Sequence, residues 1–242
     1  MNVTIVVPTY NEAESLPSLV EVVLSLPYAN INLLVVDDNS PDGTGRAAED
    51  LSEQHPGRVE VLHREGKMGL GSAYILGFRT ALDEGAEAIG QMDADFSHDP
   101  EKLPQMIAML ENADLVLGSR YVEGGAVDED WPFWRKGLSA WGNFYARTIL
   151  GLPTRDVTTG YRLWRREALL GMPLERILSS GYIFLVEMAF LAHKLGYRVG
   201  EVPIYFADRK WGKSKMNFRI QVEAALRVWQ VRFAYRDLER KK

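Results

Sequence analysis

The stretch AIGQMDADFSHDP, residues 88–100, joins a short apolar run to two carboxylates, Asp93 and Asp95. The run has the length and composition of a buried strand. A carboxylate at the end of such a strand is costly unless a cation meets it. Two strand residues separated by one point to the same side. The pair therefore predicts a site for one hard divalent cation, Mg²⁺ or Mn²⁺.

Magnesium usually takes one or two protein carboxylates and completes its shell with water and substrate phosphates. The aspartate pair therefore indicates a ligand that carries a diphosphate. Asp-x-Asp is a weak motif by itself, and its position after a buried strand is what strengthens the prediction. In the alternative interpretation, Asp95 only begins a turn and Asp99 caps the following helix.

Around this stretch, strands alternate with helices, which is typical of an α/β fold with a mostly parallel sheet. Asn11 is predicted to cap the first helix, with Glu14 at capping-box spacing. Residues 122–134 and 152–164 are predicted loops. The predicted strands are residues 2–8, 31–38, 58–64, 88–96, 113–121 and 198–207, and the predicted helices are 11–27, 43–55, 71–85, 99–112, 135–151, 181–197 and 217–237.

Ligands of an open parallel sheet bind at the carboxyl ends of its strands. Polar segments that follow predicted strands would therefore converge in space. An acid after the second strand commonly contacts the ribose or base of a nucleotide, so Asp38 is expected to face the ligand. Asp37 is predicted either to contact the ligand as well or to form an Asx-turn. The four polar segments are residues 8–12, 37–38, 93–95 and 118–121.

The glycine pattern argues against two other nucleotide-binding classes. GLGSAYILG, residues 69–77, fails as a dinucleotide fingerprint because Tyr74 occupies the third glycine position. The segment after the first strand contains no glycine, so a nicotinamide-dependent dehydrogenase is not expected. A nucleotidyltransferase would need a glycine-rich basic loop at the same place.

The composition is typical of a soluble globular protein, with 46% hydrophobic and 25% charged residues among 242. Cysteine is absent, which excludes disulfides and thiolate metal sites, and the four histidines lack zinc-site spacing. The N-terminus does not have the basic start and long apolar run of a signal peptide. No window reaches the roughly 18 apolar residues of a transmembrane helix.

The net charge of −5 is unevenly distributed. From Ala207 onward, eleven Lys or Arg stand against four Asp or Glu, so this end carries +7 and the rest of the chain −12. A basic end suggests an anionic partner, with a solvated helix face as the alternative. The segment ADRKWGKSKMN, residues 207–217, would suit phosphate oxygens, or it is a solvated loop.

The last predicted helix has apolar residues at steps of three or four. This stripe is predicted to pack on the body of the protein, and contact with an anionic membrane surface or a membrane-embedded helix is the alternative. Glu187, inside another apolar helix, is predicted to be a structural acid paired with Arg162 or Arg165 rather than a catalytic base. The stripe consists of Phe218, Val222, Leu226, Trp229 and Phe233.

Six motifs together resemble the inverting family-2 glycosyltransferases of GT-A fold, and among them the dolichyl-phosphate (polyprenyl-phosphate) mannose synthases. The resemblance extends from about Val3 to Met216. It implies a GT-A domain over residues 1–216 and a C-terminal amphipathic basic helix over residues 217–242, packed on the domain or on a membrane surface. The motifs are VVPTYNE, VVDDNSPDGT, MDADFSHDP, GSRY, TTGYRLW and GEVPIYFADRKWGKSKM.

The resemblance also implies the substrates and the location. Mannose would pass from GDP-mannose to a polyprenyl phosphate, with Mg²⁺ or Mn²⁺ as cofactor. The protein would be cytoplasmic and peripheral, leaning on the cytoplasmic face of a membrane or on a small membrane subunit, without a nucleic-acid partner. Many relatives add transmembrane helices after the catalytic domain, and this chain resembles the kind without them.

The resemblance assigns site residues by motif, with Asp95, Arg209 and Lys215 as the catalytic set. Asp93 and Asp95 would bind the metal. The residues implied to line the nucleotide are Pro8, Tyr10 and Glu12, with Val36 and Asp38 around base and ribose. Those implied around the metal and diphosphate are Asp93, the Ala94 backbone and Asp95. Those implied to contact donor or acceptor phosphate are Arg120, Arg209 and Lys215, with Arg135 and Ser139 aligned more weakly.

The acceptor chemistry leads to a separate prediction. A phosphate monoester has a second pKa of about 6, so it is largely a dianion at neutral pH and needs no proton removed. We therefore expect that no carboxylate is indispensable as a general base, including Asp156 and Glu187. The alternatives left open are a UDP-glucose or UDP-GlcNAc donor, a glycan acceptor, and a non-catalytic nucleotide-sugar sensor.

Overall fold

A seven-stranded sheet lies at the centre of the computed structural model, which describes residues 1–28, 30–208 and 218–238, with 218–222 described by their backbone alone. The strands are β1 (Val3–Thr9), β2 (Ile31–Asp37), β3 (Val59–His63), β4 (Ala88–Gln91), β5 (Leu115–Ser119), β6 (Ala126–Val127), β7 (Arg162–Arg165), β8 (Val199–Pro203) and β9 (Tyr205–Phe206). The helices are α1 (Leu16–Ser25), α2 (Thr44–Gln54), α3 (Leu70–Asp83), α4 (Leu103–Met109), α5 (Phe133–Leu150), α6 (Arg166–Leu170), α7 (Ile183–Lys194) and α8 (Phe218–Ala234).

The strand order of the central sheet is β3-β2-β1-β4-β7-β5-β8. Strand β7 runs antiparallel to its neighbours β4 and β5, whereas the other pairs are parallel. Strands β6 and β9 form a separate parallel pair. The predicted α/β fold with a mostly parallel sheet is confirmed.

Strand β7 corrects the sequence prediction, which assigned residues 152–164 to a loop. Leu163 and Trp164 are fully buried, and the Trp164 indole donates a hydrogen bond to Gln91 Oε1 of β4 at 2.8 Å. Four residues are too few to show an alternating pattern, and turn-forming residues precede them. Only the tertiary contacts distinguish this strand from a loop.

The two sides of the sheet carry separate hydrophobic cores. Alternate residues of β1 point to opposite sides. Val3, Ile5 and Val7 pack with α1 and α4 on one side, and Val6 packs with α3 and α7 on the other. Because helices cover both sides, the central strands β1 and β2 are apolar along most of their length, and polar residues follow their carboxyl ends.

The first helix begins later than predicted, and the capping-box assignment of Asn11 and Glu14 is wrong. Asn11 has a φ of +62°, in the left-handed region, and its amide donates to Ser40 Oγ at 3.1 Å. Helix α1 begins at Leu16 and has Pro17 in its first turn, where a missing N–H is tolerated. Asn11 therefore shapes the loop after β1.

Helix α8 packs through a different face from the predicted one. Val228, Val231 and Tyr235 are buried at 2%, 1% and 1% exposure, whereas the predicted stripe residues Leu226 and Trp229 are 64% and 42% exposed. Phe233 is also exposed, and the side chains of Phe218 and Val222 lie outside the described residues. The helix has apolar residues on both sides, so the pattern alone did not identify the packed side.

The predicted domain boundary between residues 216 and 217 lies outside the described residues, so the two-part organisation stays a prediction. In the described part, α8 contacts both α5 and α7. None of the helices in the described ranges is both long and apolar enough to cross a bilayer.

Candidate active site

The carboxyl ends of β1, β2 and β4 lie side by side, because β1 pairs in parallel with both of the other strands. Residues 8–12, 37–38 and 93–95 therefore meet at one edge of the sheet, as predicted. Strand β5 carries residues 118–121 to the same edge from the far side of β7. This edge is the candidate active site.

The loop after β1 forms one wall of the site. The amine of Lys67 lies 4.4 Å from the centre of the Tyr10 ring. The Glu12 amide donates to Thr44 Oγ1 at 2.9 Å. Tyr10 and Glu12 thus lie at the predicted place, with Lys67, from the loop after β3, as an added cation.

Pro8 and Val36 are neighbours in the register of β1 and β2. Val36 is fully buried and belongs to the core on the α3 side. Its side chain therefore packs inside the protein. The implied contact of Val36 with a nucleotide base stays a prediction, and only backbone atoms of Val36 could make it.

Asp38, at the end of β2, forms a buried ion pair with Arg64. Arg64 Nη1 donates to Asp38 Oδ1 at 2.6 Å, and Nη2 donates to Ser72 Oγ at 2.7 Å. Burial raises the pKa of the Asp38 carboxyl above its ordinary value, and the Arg64 charge opposes that shift. Asp37 accepts hydrogen bonds from the amide and hydroxyl of Ser40, three residues on, so its side chain shapes the local turn, although the amide lies one residue beyond that of an Asx-turn.

The aspartate pair lies in a turn, and the strand argument for it is wrong. Strand β4 ends at Gln91, so Asp93 and Asp95 do not alternate along a strand. Asp95 Oδ1 accepts from the amide and hydroxyl of Ser97 at 3.0 and 2.6 Å. Phe96 has a φ of +61°, so the chain turns back. The turn, rather than strand geometry, brings both aspartates to the sheet edge.

The donor set of this turn fits a hard divalent cation. Asp93 and Asp95 offer carboxylate oxygens only, and two such ligands leave positions for water and phosphate, as magnesium prefers. Among the described residues, no group of three or more His, Cys, Asp or Glu could hold a metal. Burial raises the pKa of the Tyr74 hydroxyl well above its ordinary value, and this hydroxyl lies 3.4 Å from Asp93 Oδ1 as a donor.

Arg120, after β5, is tied to the buried Asp156. Its Nε and Nη2 donate to the two Asp156 oxygens at 2.7 and 2.8 Å, and Nη2 also donates to Thr158 Oγ1 at 2.7 Å. Burial alone would raise the pKa of Asp156, but the charge and hydrogen bonds of Arg120 outweigh it and hold that pKa below its ordinary value. The pair fixes Arg120 at the sheet edge.

Arg135 and Ser139, near the start of α5, contact different residues. Arg135 Nη1 donates to Asp208 at 3.0 Å, and its guanidinium lies 3.7 Å from the Trp131 ring centre. The Ser139 and Tyr121 hydroxyls are 2.9 Å apart, which connects α5 to the segment after β5. Contacts of these residues with phosphate stay a prediction.

Glu187 is structural, as predicted, but its partners are not arginines. The carboxylate is fully buried and accepts from the amides of Leu178 and Ser179, both at 2.9 Å, and from the Tyr235 hydroxyl. Arg162 and Arg165 instead donate to backbone carbonyls, and the arginine pairing is therefore wrong. A carboxylate with three donors suits a structural role.

Two of the three implied catalytic residues, Arg209 and Lys215, lie outside the described residues, as does the basic segment around them. Sequence reasoning missed Arg64, Lys67 and His98, all of which lie at the site. Arg64 is the last residue of the third predicted strand and Lys67 follows it, and that position was the available signal. His98 stands inside the opening motif, but one histidine has no spacing to interpret.

Polar strand ends on a mostly parallel sheet, with an Asp-x-Asp turn among them, fit the predicted α/β glycosyltransferase fold. The chain matches the family described as glycosyl transferase family 2 over residues 4–171. It belongs to that family and is a glycosyltransferase.

The similar proteins agree with this assignment. The chain is 47% identical over 229 residues to the undecaprenyl-phosphate mannosyltransferase of Micrococcus luteus, covering 94% of this chain and 93% of that protein. It is 44% identical over 232 residues to the polyprenol monophosphomannose synthase of Mycolicibacterium smegmatis, covering 94% and 86%. Glucosyl-3-phosphoglycerate synthase from Mycobacterium tuberculosis, solved with Mn²⁺, UDP-glucose and phosphoglyceric acid, shares the fold, with a TM-score of 0.67 at 17% identity over 95% of this chain and 78% of that one.

Proposed function

We propose that this chain transfers a mannosyl group from GDP-mannose to a polyprenyl phosphate of the dolichyl type, with inversion at the sugar carbon. The observation that carries the proposal is the 44–47% identity, over 94% of the chain, to two proteins named for polyprenyl-phosphate mannose synthesis. The paired aspartates and the parallel strand ends are what such a reaction requires of the site.

The donor nucleotide would lie along the ends of β1 and β2, with its diphosphate at the Asp93–Asp95 turn. Tyr10 and Asp38 face that edge, and Lys67 adds a positive charge beside it. A bound Mg²⁺ or Mn²⁺ would neutralise the charge that develops on the leaving diphosphate. The M. tuberculosis synthase of the same fold was solved with Mn²⁺ and UDP-glucose, which fits this arrangement.

The acceptor requires positioning rather than deprotonation. Its phosphate is largely a dianion at neutral pH, since the second pKa of a phosphate monoester is about 6. The buried carboxylates of Asp156 and Glu187 are occupied by Arg120 and by two amides with Tyr235, respectively. Neither is poised as a general base. Cationic groups, with Arg120 among them and Arg209 and Lys215 from the basic segment, would align the attacking oxygen.

A membrane surface is the proposed location of the acceptor. Helix α5 exposes four aromatic side chains on one side, with Phe133 at 91%, Trp134 at 69%, Trp141 at 56% and Phe144 at 62% exposure. Helix α8 packs beside it, since the Trp229 indole donates to the Tyr145 hydroxyl at 2.9 Å. Large exposed apolar areas mark interaction sites. We call the set the aromatic face: Phe133, Trp134, Trp141, Phe144, Leu226, Trp229 and Phe233.

Aromatic side chains favour the interfacial region of bilayers, and the exposed side chains of Arg232 and Arg236 stand near this face. Both features favour an anionic membrane surface as its occupant. The protein would then be peripheral on the cytoplasmic face of the membrane, where a lipid-linked phosphate is within reach.

The test is a donor screen with the purified chain, a short-chain polyprenyl phosphate in detergent, and radiolabelled GDP-mannose, UDP-glucose and UDP-GlcNAc. We expect lipid-extractable label from GDP-mannose alone, and a β-linked product by NMR. A product from UDP-glucose or UDP-GlcNAc would replace the donor assignment. Nucleotide-sugar binding without any product would favour the non-catalytic sensor, and an α-linked product would overturn inversion.

A further inference from the structure

His98 lies buried under the aspartate turn, at 1% exposure. Its Nδ1 accepts a hydrogen bond from the backbone amide of Asp93, with N and Nδ1 3.0 Å apart. A ring nitrogen that accepts must be unprotonated, so this bond assigns the tautomer with its proton on Nε2. This hydrogen bond links the two ends of the turn, from Asp93 to His98, and Asp95 lies between them.

The surroundings of His98 hold its ring in one orientation. Tyr161 stacks on the ring with centroids 5.1 Å apart and an interplanar angle of 14°, and Phe206 meets it edge-on at 5.6 Å. Gly160 lies so close that a Cβ there would come within 3.2 Å of His98 Cε1. The Tyr161 hydroxyl donates to the Asp99 carbonyl at 2.9 Å, which anchors the residue after His98 as well.

The turn needs such support because its backbone is not relaxed. A non-glycine residue in the left-handed region, as Phe96 is, is strained and persists only where its surroundings hold it. The bonds from Ser97 fix Asp95, and the bond to His98 fixes the backbone of Asp93. The carboxylate of Asp93 extends from that backbone, so its direction depends on the His98 contact.

We propose that His98 is a positioning residue for the cation and diphosphate site: its Nδ1 fixes the amide of Asp93 and thereby aims the carboxylate at the place where the donor diphosphate binds. This inference rests on the proposed function of the turn. A displacement of about 1 Å at such a site can cost on the order of 100-fold in rate, so a residue that never touches substrate can control the reaction.

Two amide variants separate this role from simple packing. In His98→Asn, the side-chain oxygen occupies roughly the place of Nδ1, whereas in His98→Gln it reaches the place of Nε2. Both variants lose the ring and its stacking on Tyr161, and they differ from each other by one methylene group. Mn²⁺ binding in the presence of GDP is measured by electron paramagnetic resonance, alongside the thermal midpoint without metal and steady-state kinetics.

We expect His98→Asn to keep Mn²⁺ affinity within about fivefold of wild type and His98→Gln to lose about 10- to 100-fold, with both variants folded at the assay temperature. Equal Mn²⁺ affinities in the two variants, with an active wild type, would overturn the positioning role and leave the proposed function intact. A wild type that binds neither Mn²⁺ nor GDP would overturn both.

A third variant covers the case in which both amide variants unfold. Tyr161→Phe keeps the ring against His98 and removes only the bond to Asp99. We expect it to fold and to weaken Mn²⁺ binding severalfold, because the far end of the turn is released. Unchanged Mn²⁺ affinity would overturn the inference that this framework positions the aspartates.

Discussion

The hydroxyl of Tyr235, the residue directly after α8, donates a hydrogen bond to the buried carboxylate of Glu187 in α7. The same carboxylate accepts the amides of Leu178 and Ser179. One buried acid therefore joins the C-terminal helix to the segment that precedes α7. Tyr235 continues the face of α8 that helical spacing in the sequence did not select, so its hydrogen bond to Glu187 identifies the packed side of the helix.

Tyr235→Phe should lower the free energy of unfolding by about 1–2 kcal/mol, because a buried carboxylate loses one of its donors. Turnover per folded molecule should stay near wild type. Urea denaturation with a fitted midpoint and slope measures the change. Tyr145→Phe is the control, since the Tyr145 hydroxyl donates to the Ala225 carbonyl and accepts from the Trp229 indole of α8 in less buried places; it removes no donor from a buried carboxylate and should cost less. A Tyr235→Phe variant as stable as wild type would contradict the structural role.

Asp156→Asn tests whether the buried acid beside Arg120 is a base. Removing the charge of one partner from a buried ion pair costs about 3 kcal/mol or more, so we expect a clear loss of stability. Molecules that remain folded should still turn over, because the acceptor phosphate is already ionised. Initial rates are normalised to the folded fraction from circular dichroism. A folded Asp156→Asn variant that binds the donor but does not turn over would contradict a mechanism without a general base.

The same variant should change the pH dependence of stability. The folded-state pKa of Asp156 lies below its ordinary 3.8 because Arg120 outweighs the effect of burial. The stabilisation is therefore complete above about pH 4 and is lost as the pH falls through the lower folded-state pKa. Urea midpoints between pH 7 and pH 3 should fall more steeply for wild type than for Asp156→Asn. Parallel curves below pH 4 would contradict the assigned pKa direction.

Much of the fold and part of the site could be predicted from the sequence, and the failures have identifiable causes. The strands with long β-branched runs, β1 and β2, stand out, whereas β7 is four residues long and is defined only by its neighbours. The aspartate pair was correctly located, but its geometry depends on Phe96 and His98, whose roles come from backbone conformation and burial. Arg64 was missed because its importance arises from a partner 26 residues away.

The packed side of helix α8 could not be predicted from the sequence either. Apolar residues occur on both of its sides, so helical spacing fits two stripes equally well. Tertiary contacts choose the side with Val228, Val231 and Tyr235. The side that was predicted to pack is exposed instead, and its residues Leu226, Trp229 and Phe233 form part of the aromatic face.

Asp95→Ala should abolish the divalent-dependent part of GDP binding, because one of the two carboxylates at the turn is removed. Titration calorimetry with GDP, with and without Mn²⁺, measures the difference. Asp99→Ala is the control: Asp99 caps the next turn by accepting the Glu101 amide at 2.9 Å, so its loss should cost about 1 kcal/mol of stability and leave metal-dependent binding intact. GDP affinity that is indifferent to Mn²⁺ in wild type would remove the metal from the proposed site.

The aromatic face should bind vesicles that contain anionic lipid. Replacing Trp134 and Trp141 together by Ser should weaken binding to phosphatidylglycerol vesicles by about 100-fold or more, since each buried aromatic side chain contributes about 1.5–3 kcal/mol. Leu170→Ser is the matched control, because Leu170 is 60% exposed on α6 and should leave binding unchanged. Sedimentation with sucrose-loaded vesicles gives the affinities, and added salt should reduce wild-type binding if the arginines beside the face contribute. If the double variant sediments as wild type does, or wild type binds only together with a small membrane protein, the bare lipid surface is not the occupant of this face.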